Sequence, residues 1–309
     1  MVLKAAQPQP SNLTNKTAMV AEGNWQIVQA PAKVNLSLRI VGRRADGFHL
    51  LDSIVVFANV GDHVAIRPAV GQPSFSIRGP FASSLEGSSG HNLAILADQA
   101  FTKAFGGKHS DIRLWKRLPT AAGIGGGSAD AAAVLRLKAK LVGMELNDPN
   151  LTNIALSLGA DVPMCLRGLS AKVEGIGELL SLAPSMPPLA AVLVNPGVML
   201  ATPTVFKARS GPFSSPAVLP KIWQNLREVA EAIAELGNDL TQSAIAIAPE
   251  VADVLESLRA LSGARAVSMS GSGSTCFALF DDPKTARREA GALKSRQPGW
   301  WISSTILNL

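Results

Sequence analysis

Between residues 25 and 40 the chain alternates. Val34, Leu36, Leu38 and Ile40 fall on one side and Lys33, Asn35, Ser37 and Arg39 on the other, the period of two that marks a strand. Pro31 interrupts the run and predicts a bend or an edge position. A turn follows at Arg43-Arg44-Ala45-Asp46-Gly47, then strands over 50–57 and 63–67, separated at Asn59-Val60-Gly61-Asp62, with a weaker strand over 74–77. Helical spacing covers 92–105, and a short strand over 111–115 leads into a glycine-rich stretch. Behind that stretch, 131–141 reads as helix with Val134, Leu137 and Leu141 facing a core. A further helix over 151–158 ends at Gly159, and 171–174 with 179–182 suits a hairpin around Gly175 and Gly177.

A proline-rich seam at 184–188 is a candidate boundary between domains at 25–184 and 185–309. Beyond it, strands are expected over 189–194, 264–269, 275–280 and 300–307, and helices over 219–236, 249–261 and 283–296. With one helix set aside, that order is β-α-β-β-α-β, the split or ferredoxin-like pattern. The class is α+β.

Composition narrows the picture. A length of 309 residues, 47% of them hydrophobic, suits two globular domains, and no apolar run is long enough to cross a bilayer. Residues 1–24, rich in Gln, Pro, Ser, Asn and Thr and without an apolar centre, read as a loose tail rather than a secretory signal. Cys165 and Cys276 are too few for a disulfide framework or a zinc site. They read as small buried side chains in a reducing compartment, so a cytoplasmic protein is expected. The net charge of +6 is scattered, which disfavours a nucleic-acid footprint and suits an anionic small substrate.

The glycine-rich stretch carries the chemistry. Gly123, Gly125, Gly126 and Gly127 precede Ser128, a good cap residue, and Asp130, placed where a first helical turn favours negative charge. Free N–H groups at such a helix start form a site for phosphate, against the plainer reading of a simple turn. The P-loop pattern is absent, since Gly107-Lys108 is followed by His109. The dinucleotide fingerprint fits only in part, as Gly123-x-Gly125-x-x-Ser128 with Glu145 in a loop-like context.

Elsewhere, Lys33 suits phosphate oxygens or the activation of a hydroxyl, or is an exposed strand lysine. Asp161, in Leu158-Gly159-Ala160-Asp161-Val162-Pro163, is either a general base or the cap of a following helix. Phe48-His49 could stack on and hydrogen-bond a flat base, or be a buried ring beside a surface imidazole. Ser270-Gly271-Ser272-Gly273-Ser274 is a second glycine/serine loop, or a plain hairpin. No His-Glu-x-x-His, cysteine cluster or Gly-x-Ser-x-Gly is present, which removes metalloprotease and α/β-hydrolase readings.

Three of these segments together resemble the motifs of the GHMP family of small-molecule kinases: Pro31-Ala32-Lys33-Val34-Asn35, Pro119 through Gly123 and Gly125 to Ser128, and Ser270-Gly271-Ser272-Gly273. Arg44-Ala45-Asp46-Gly47-Phe48-His49, Leu158 to Pro163 and Glu174-Gly175-Ile176-Gly177-Glu178 extend the likeness over most of the chain from Trp25 onward. The resemblance implies an N-terminal domain like domain 2 of ribosomal protein S5 and a ferredoxin-like C-terminal domain. It implies ATP held by Pro119, Thr120, Ala121, Ala122, Gly123, Ile124, Gly125, Gly126, Gly127, Ser128 and Ala129. Mg²⁺ would bridge phosphate oxygens, with its protein ligands unassigned.

Asp161 would act as base or hydroxyl-orienting carboxylate and Lys33 would stabilise the phosphoryl group. Asn35, Phe48 and His49 would hold the cytidine end of a small cytidyl diphosphate substrate. Phe48, where the resemblance expects Tyr, keeps a stacking face and loses a hydroxyl. The implied reaction phosphorylates the 2-hydroxyl of a methylerythritol unit carried on cytidine diphosphate, in non-mevalonate isoprenoid synthesis, with neither nucleic acid nor membrane as partner. The alternatives are a mevalonate-type or homoserine kinase of the same family, or an RNA-binding module.

Overall fold

The computed structural model describes residues 24–85 and 92–308. In its first half, strands β1 (Gln26–Arg43), β2 (His49–Pro68) and β3 (Phe75–Arg78) are followed by helix α1 (Leu93–Phe105), strand β4 (Ser110–Trp115) and helices α2 (Gly126–Leu141), α3 (Pro149–Leu158) and α4 (Val162–Arg167). The hairpin β5 (Ala171–Gly175) and β6 (Leu179–Leu182) closes this half. The second half runs β7 (Leu189–Asn195), α5 (Thr202–Ala208), α6 (Leu226–Leu236), α7 (Thr241–Ile247), α8 (Glu250–Arg259), β8 (Ala264–Met269), β9 (Cys276–Phe280), α9 (Pro283–Arg296) and β10 (Trp301–Leu307).

In the first sheet β2 pairs with β1, β4 and β5, while β3 lies parallel to β4. The second sheet has the order β10-β7-β9-β8, all antiparallel, so the split pattern expected from the sequence is present. One residue pair, Leu307 with Ala58, joins the two sheets.

Three apolar cores follow from this arrangement. Val64, Ile66, Ile112 and Leu114 pack beneath α1 to α4, against Phe101 and the alanines of α2. Val34, Leu36, Ile54 and Val56, from β1 and β2, meet Leu193, Phe277, Val229 and Ile233 across the junction of the two halves. Val192, Val194 and Phe280 lie under α7 to α9, with Leu255 and Leu258. The alternation of β1 is therefore only partly a solvent pattern, because Lys33, Asn35 and Ser37 on its polar side are buried too. A polar face that is covered yet unfilled by apolar groups is where a ligand belongs.

Several elements differ from expectation. Residues 59–62 do not break the strand. A Cβ on Gly61 would stand 2.2 Å from the carbonyl oxygen of Ala30, so glycine lets β2 pass the register shift of β1 between Pro31 and Lys33. Asp62 is fully buried and accepts the backbone N–H of Leu118 at 2.8 Å, which makes it an anchor rather than a turn residue. The helix expected over 219–236 starts only at Leu226. Pro220 lacks an N–H, Ser185 exchanges backbone bonds with Lys221 and Trp223, and Asn225 caps the helix by accepting the N–H of Glu228. The short helices α5 and α7 carried no periodic signal long enough to announce them. The tail read at 1–24 lies, apart from Asn24, outside the described residues. No helix among the described residues is long and apolar enough to cross a membrane.

Candidate active site

A cavity of about 630 Å³ opens between the two halves, and the glycine loop forms one wall of it. The loop starts α2 earlier than the sequence suggested. Gly125, left-handed at φ 64°, occupies the cap position, and Ser128 sits inside the first turn. The N–H groups of that turn face the ligand space, since Gly126, Gly127 and Ser128 all line the cavity. Residues 119–123 and 125–128 line it as well, whereas Ile124 and Ala129 turn their side chains into the cores.

The conformation of the loop is set by β1 and by the 270–275 turn of the other half of the chain. Ser270, fully buried, accepts the backbone N–H of Asn35 at 3.0 Å and donates its hydroxyl to the carbonyl of Gly123 at 3.0 Å. Thr275 N–H donates to Ala122 O at 3.1 Å, and Lys33 N–H donates to Ile124 O at 3.0 Å. Asn238 holds the second loop from behind, donating to the carbonyls of Met269 and Gly271. Residues 270–274 do form the hairpin connection between the antiparallel strands β8 and β9, and the same turn also binds the glycine loop.

Gly123 sits at the tightest approach: with φ +71°, a Cβ there would lie 2.5 Å from Ser270 O and 2.6 Å from Gly273 O. A Gly123→Ala variant is expected to lose roughly 1–3 kcal/mol of stability, from left-handed strain and displacement of the second loop. Denaturant melts measure it, and an unchanged midpoint would mean the two loops are not interlocked as described.

Beside the loop, in the same cavity, Lys33 Nζ stands 3.1 Å from Asp161 Oδ2 and donates to Asn35 Oδ1 at 3.1 Å. The amide of Asn35 is oriented by its own donor, since Nδ2 donates to Ser53 Oγ at 2.7 Å and the Ser53 hydroxyl donates to Ser37 O at 2.6 Å. Lys33 is therefore aimed by strand geometry and by a hydrogen-bond chain. Asp161 occupies the cap position of α4 and makes no capping bond with its side chain, so of the two sequence readings the capping one is not realised. Its carboxylate is partly exposed towards the cavity and engages the lysine instead.

Phe48 and His49 do not line the cavity. Phe48 is 58% exposed, and the imidazole of His49 packs at 5.4 Å against Phe206, which does line it. Partial burial, with the guanidinium groups of Arg43 and Arg209 nearby, lowers the pKa of His49 and favours the neutral ring.

Sequence reasoning missed Phe206, on the unannounced α5, and Ser53. It also missed a buried cluster under the loop, where Lys116 Nζ meets Asp62 Oδ2 at 2.6 Å and Asp130 Oδ2 at 2.8 Å. A lysine after a strand gives no sequence signal of that kind, and Asp130, expected in the first turn of the helix, lies beyond it because α2 starts at Gly126. Burial alone would lower the pKa of Lys116, but the two carboxylates outweigh it and hold the ammonium charged. Both cysteines are buried free thiols; burial, chiefly, pushes Cys165 up to about 12, which makes it inert.

Comparison with known proteins adds two family models, the "GHMP kinases N terminal domain" over residues 92–169 and "GHMP kinases C terminal" over 218–299. The 4-diphosphocytidyl-2-C-methyl-D-erythritol kinase of Paramagnetospirillum magneticum is 48% identical over 281 residues, covering 91% of this chain and 98% of the relative. That of Cereibacter sphaeroides is 48% identical, covering 88% and 96%. A crystal structure of a 4-(cytidine 5'-diphospho)-2C-methyl-D-erythritol kinase is 34% identical with a TM-score of 0.74, covering 92% of this chain and all of that one. The mevalonate kinase of Methanococcus jannaschii, at 9% identity and a TM-score of 0.64, shares the fold alone. The chain is a kinase of the GHMP family and belongs among its 4-diphosphocytidyl-2-C-methyl-D-erythritol kinases.

Proposed function

We propose that the chain transfers the terminal phosphoryl group of ATP to the 2-hydroxyl of 4-diphosphocytidyl-2-C-methyl-D-erythritol, a step of the methylerythritol phosphate route to isoprenoid precursors. The observation that carries the reading is the Lys33–Asp161 pair at 3.1 Å, set in one cavity beside a glycine-rich helix start, with the Lys33 stem against Gly125. Phosphoryl transfer asks a protein mainly to position the reactants and to stabilise charge. The N–H groups at the start of α2 take the phosphates. Lys33 balances charge on the transferring group, and Asp161 orients the acceptor hydroxyl and receives its proton.

His49, packed against Phe206 at the rim of the cavity, and the exposed Phe48 next to it in the chain hold the cytidine, and Asn35 supports Lys33 next to the acceptor. The division at 184/185 belongs to the same reading, with the phosphate loop and Asp161 on one side, Phe206 and the Ser270 loop on the other. A divalent cation would supply charge neutralisation on the ATP phosphates. No group of three or more His, Cys, Asp or Glu suited to a metal occurs among the described residues, so the ion fits as a phosphate-bound, largely hydrated species rather than in a protein cage.

ATP consumption with and without the cytidyl substrate tests the assignment. Turnover is expected with that substrate and not with mevalonate or homoserine. Phosphorylation of either of those, with none of the cytidyl compound, would overturn it.

A further inference from the structure

Behind the glycine loop lies a buried polar atom that has no hydrogen-bond partner among the described residues. Asp130, one turn into α2, is 3% exposed and lines the cavity. Its Oδ2 receives Lys116, but its Oδ1 is buried with no hydrogen-bond partner. Lys116 is shared with Asp62, whose other oxygen already accepts the backbone N–H groups of Arg117 and Leu118. Two carboxylates and one ammonium are thus buried together at the cavity wall, with one carboxylate more than there are cations to pair it.

We propose that Asp130 is a proton-linked part of the nucleotide site: ATP binding at the loop draws a proton from solvent onto the free oxygen of Asp130, and that proton tightens ATP. The proposal rests on the phosphate-binding reading of the loop.

The physical reason is repulsion. A polyphosphate at the first turn of α2 brings several negative charges to the end of the helix that carries Asp130, and like charge favours the neutral acid. The protonated Oδ1 changes from an unpaired acceptor into a donor on the cavity side of the helix. Burial in the first place, opposed by Lys116 and reinforced by Asp62, already raises the affinity of Asp130 for a proton.

The other charged and titratable groups around it are engaged with one another or with the backbone. From β1, Lys33 lies across Gly125 and is paired with Asp161. From α4, the thiol of Cys165 is pushed up to about 12, mainly by burial. From α1, Asp98 is held by Lys138, two turns further along α2, and by His109. Asp62 is tied to two backbone donors and to Lys116.

Reciprocity follows from linkage: if ATP promotes protonation, protonation promotes ATP binding. Titration calorimetry of the whole enzyme with ATP and excess Mg²⁺ at about pH 8.5, in buffers of different ionisation heat, reads the effect directly. There the terminal phosphate is itself fully ionised, its own pKa being about 6. The wild type is expected to take up as much as one proton per ATP, with Kd weakening by up to about tenfold per pH unit above neutrality. In Asp130→Asn both effects disappear while ATP still binds.

Equal proton uptake in Asp130→Asn, or ATP binding by the wild type with no uptake across about pH 7.5–9.5, would overturn the proposal. Failure of the wild type to bind ATP at all would sink the phosphate reading of the loop, and this inference with it. Should Asp130→Asn not fold, the infrared carbonyl band of a protonated carboxylic acid in the wild type decides. Its loss with rising pH must move to higher pH when ATP is present, and an unmoved band refutes the linkage.

Discussion

Asp161→Asn is expected to lower turnover by about 10²- to 10⁴-fold, the usual contribution of a positioned acid or base. The exchange keeps the size and planarity of the side chain while removing its charge and its ability to accept a full proton. Little else is lost. Asp161 makes no capping bond to α4 and is partly exposed, so the helix does not depend on its carboxylate. Lys33 retains the oxygen of Asn35 as a partner. The decrease should therefore appear in kcat, with ATP affinity and the melting temperature close to those of the parent. Near wild-type kcat at saturating ATP and cytidyl substrate, in a folded variant, would remove Asp161 from the chemistry. A loss confined to KM would make it a binding group instead.

The second large effect is on stability. Lys116→Met should cost about 3–5 kcal/mol at neutral pH, because it leaves two carboxylates buried without their cation. Lys116 is 1% exposed and is the ion-pair partner of both Asp62 and Asp130. Methionine matches the aliphatic stem, so the loss is electrostatic rather than one of packing.

The pH dependence gives it a signature. Burial already raises the pKa of Asp130 above its ordinary value of 3.8 with Lys116 present, and loss of the cation raises it further. A carboxyl whose folded pKa lies above its unfolded one holds more protons in the native state, so stability falls as pH rises from about 4 upward. The variant should thus be least stable relative to the parent in mild alkali and should recover part of the deficit near about pH 5. Denaturant midpoints across that range test it, and a deficit that grows as the pH falls would contradict the account.

Much of this molecule could be read from residue order. Strand β8 and helix α9 begin and end where the sequence placed them, because apolar alternation and an Asp282-Pro283 start are local signals. The glycine loop, Lys33 and Asp161 were likewise legible and are brought to one cavity. What escaped depends on distant contacts. Asn59 to Asp62 has the composition of a turn and is kept extended by Ala30, Pro31 and the backbone of Leu118. Residues 219–225 look like the start of a helix and are held extended by a bridge to Ser185. Phe206 reaches the cavity from a seven-residue helix whose position nothing local encodes. Phe48 and His49 were named together, yet only His49 meets Phe206, because adjacent residues on an extended segment point apart.

The bond from Asn35 N–H to Ser270 Oγ spans 235 residues of chain. Contacts of such sequence separation carry a large closure entropy and form late in folding. Each half can collapse about its own core before that bond exists, but until it does the phosphate loop lacks its tie through Ser270 to the second loop. During refolding, secondary structure should therefore return ahead of catalytic competence, and the last contact made on the way to the native state is the one that switches the enzyme on.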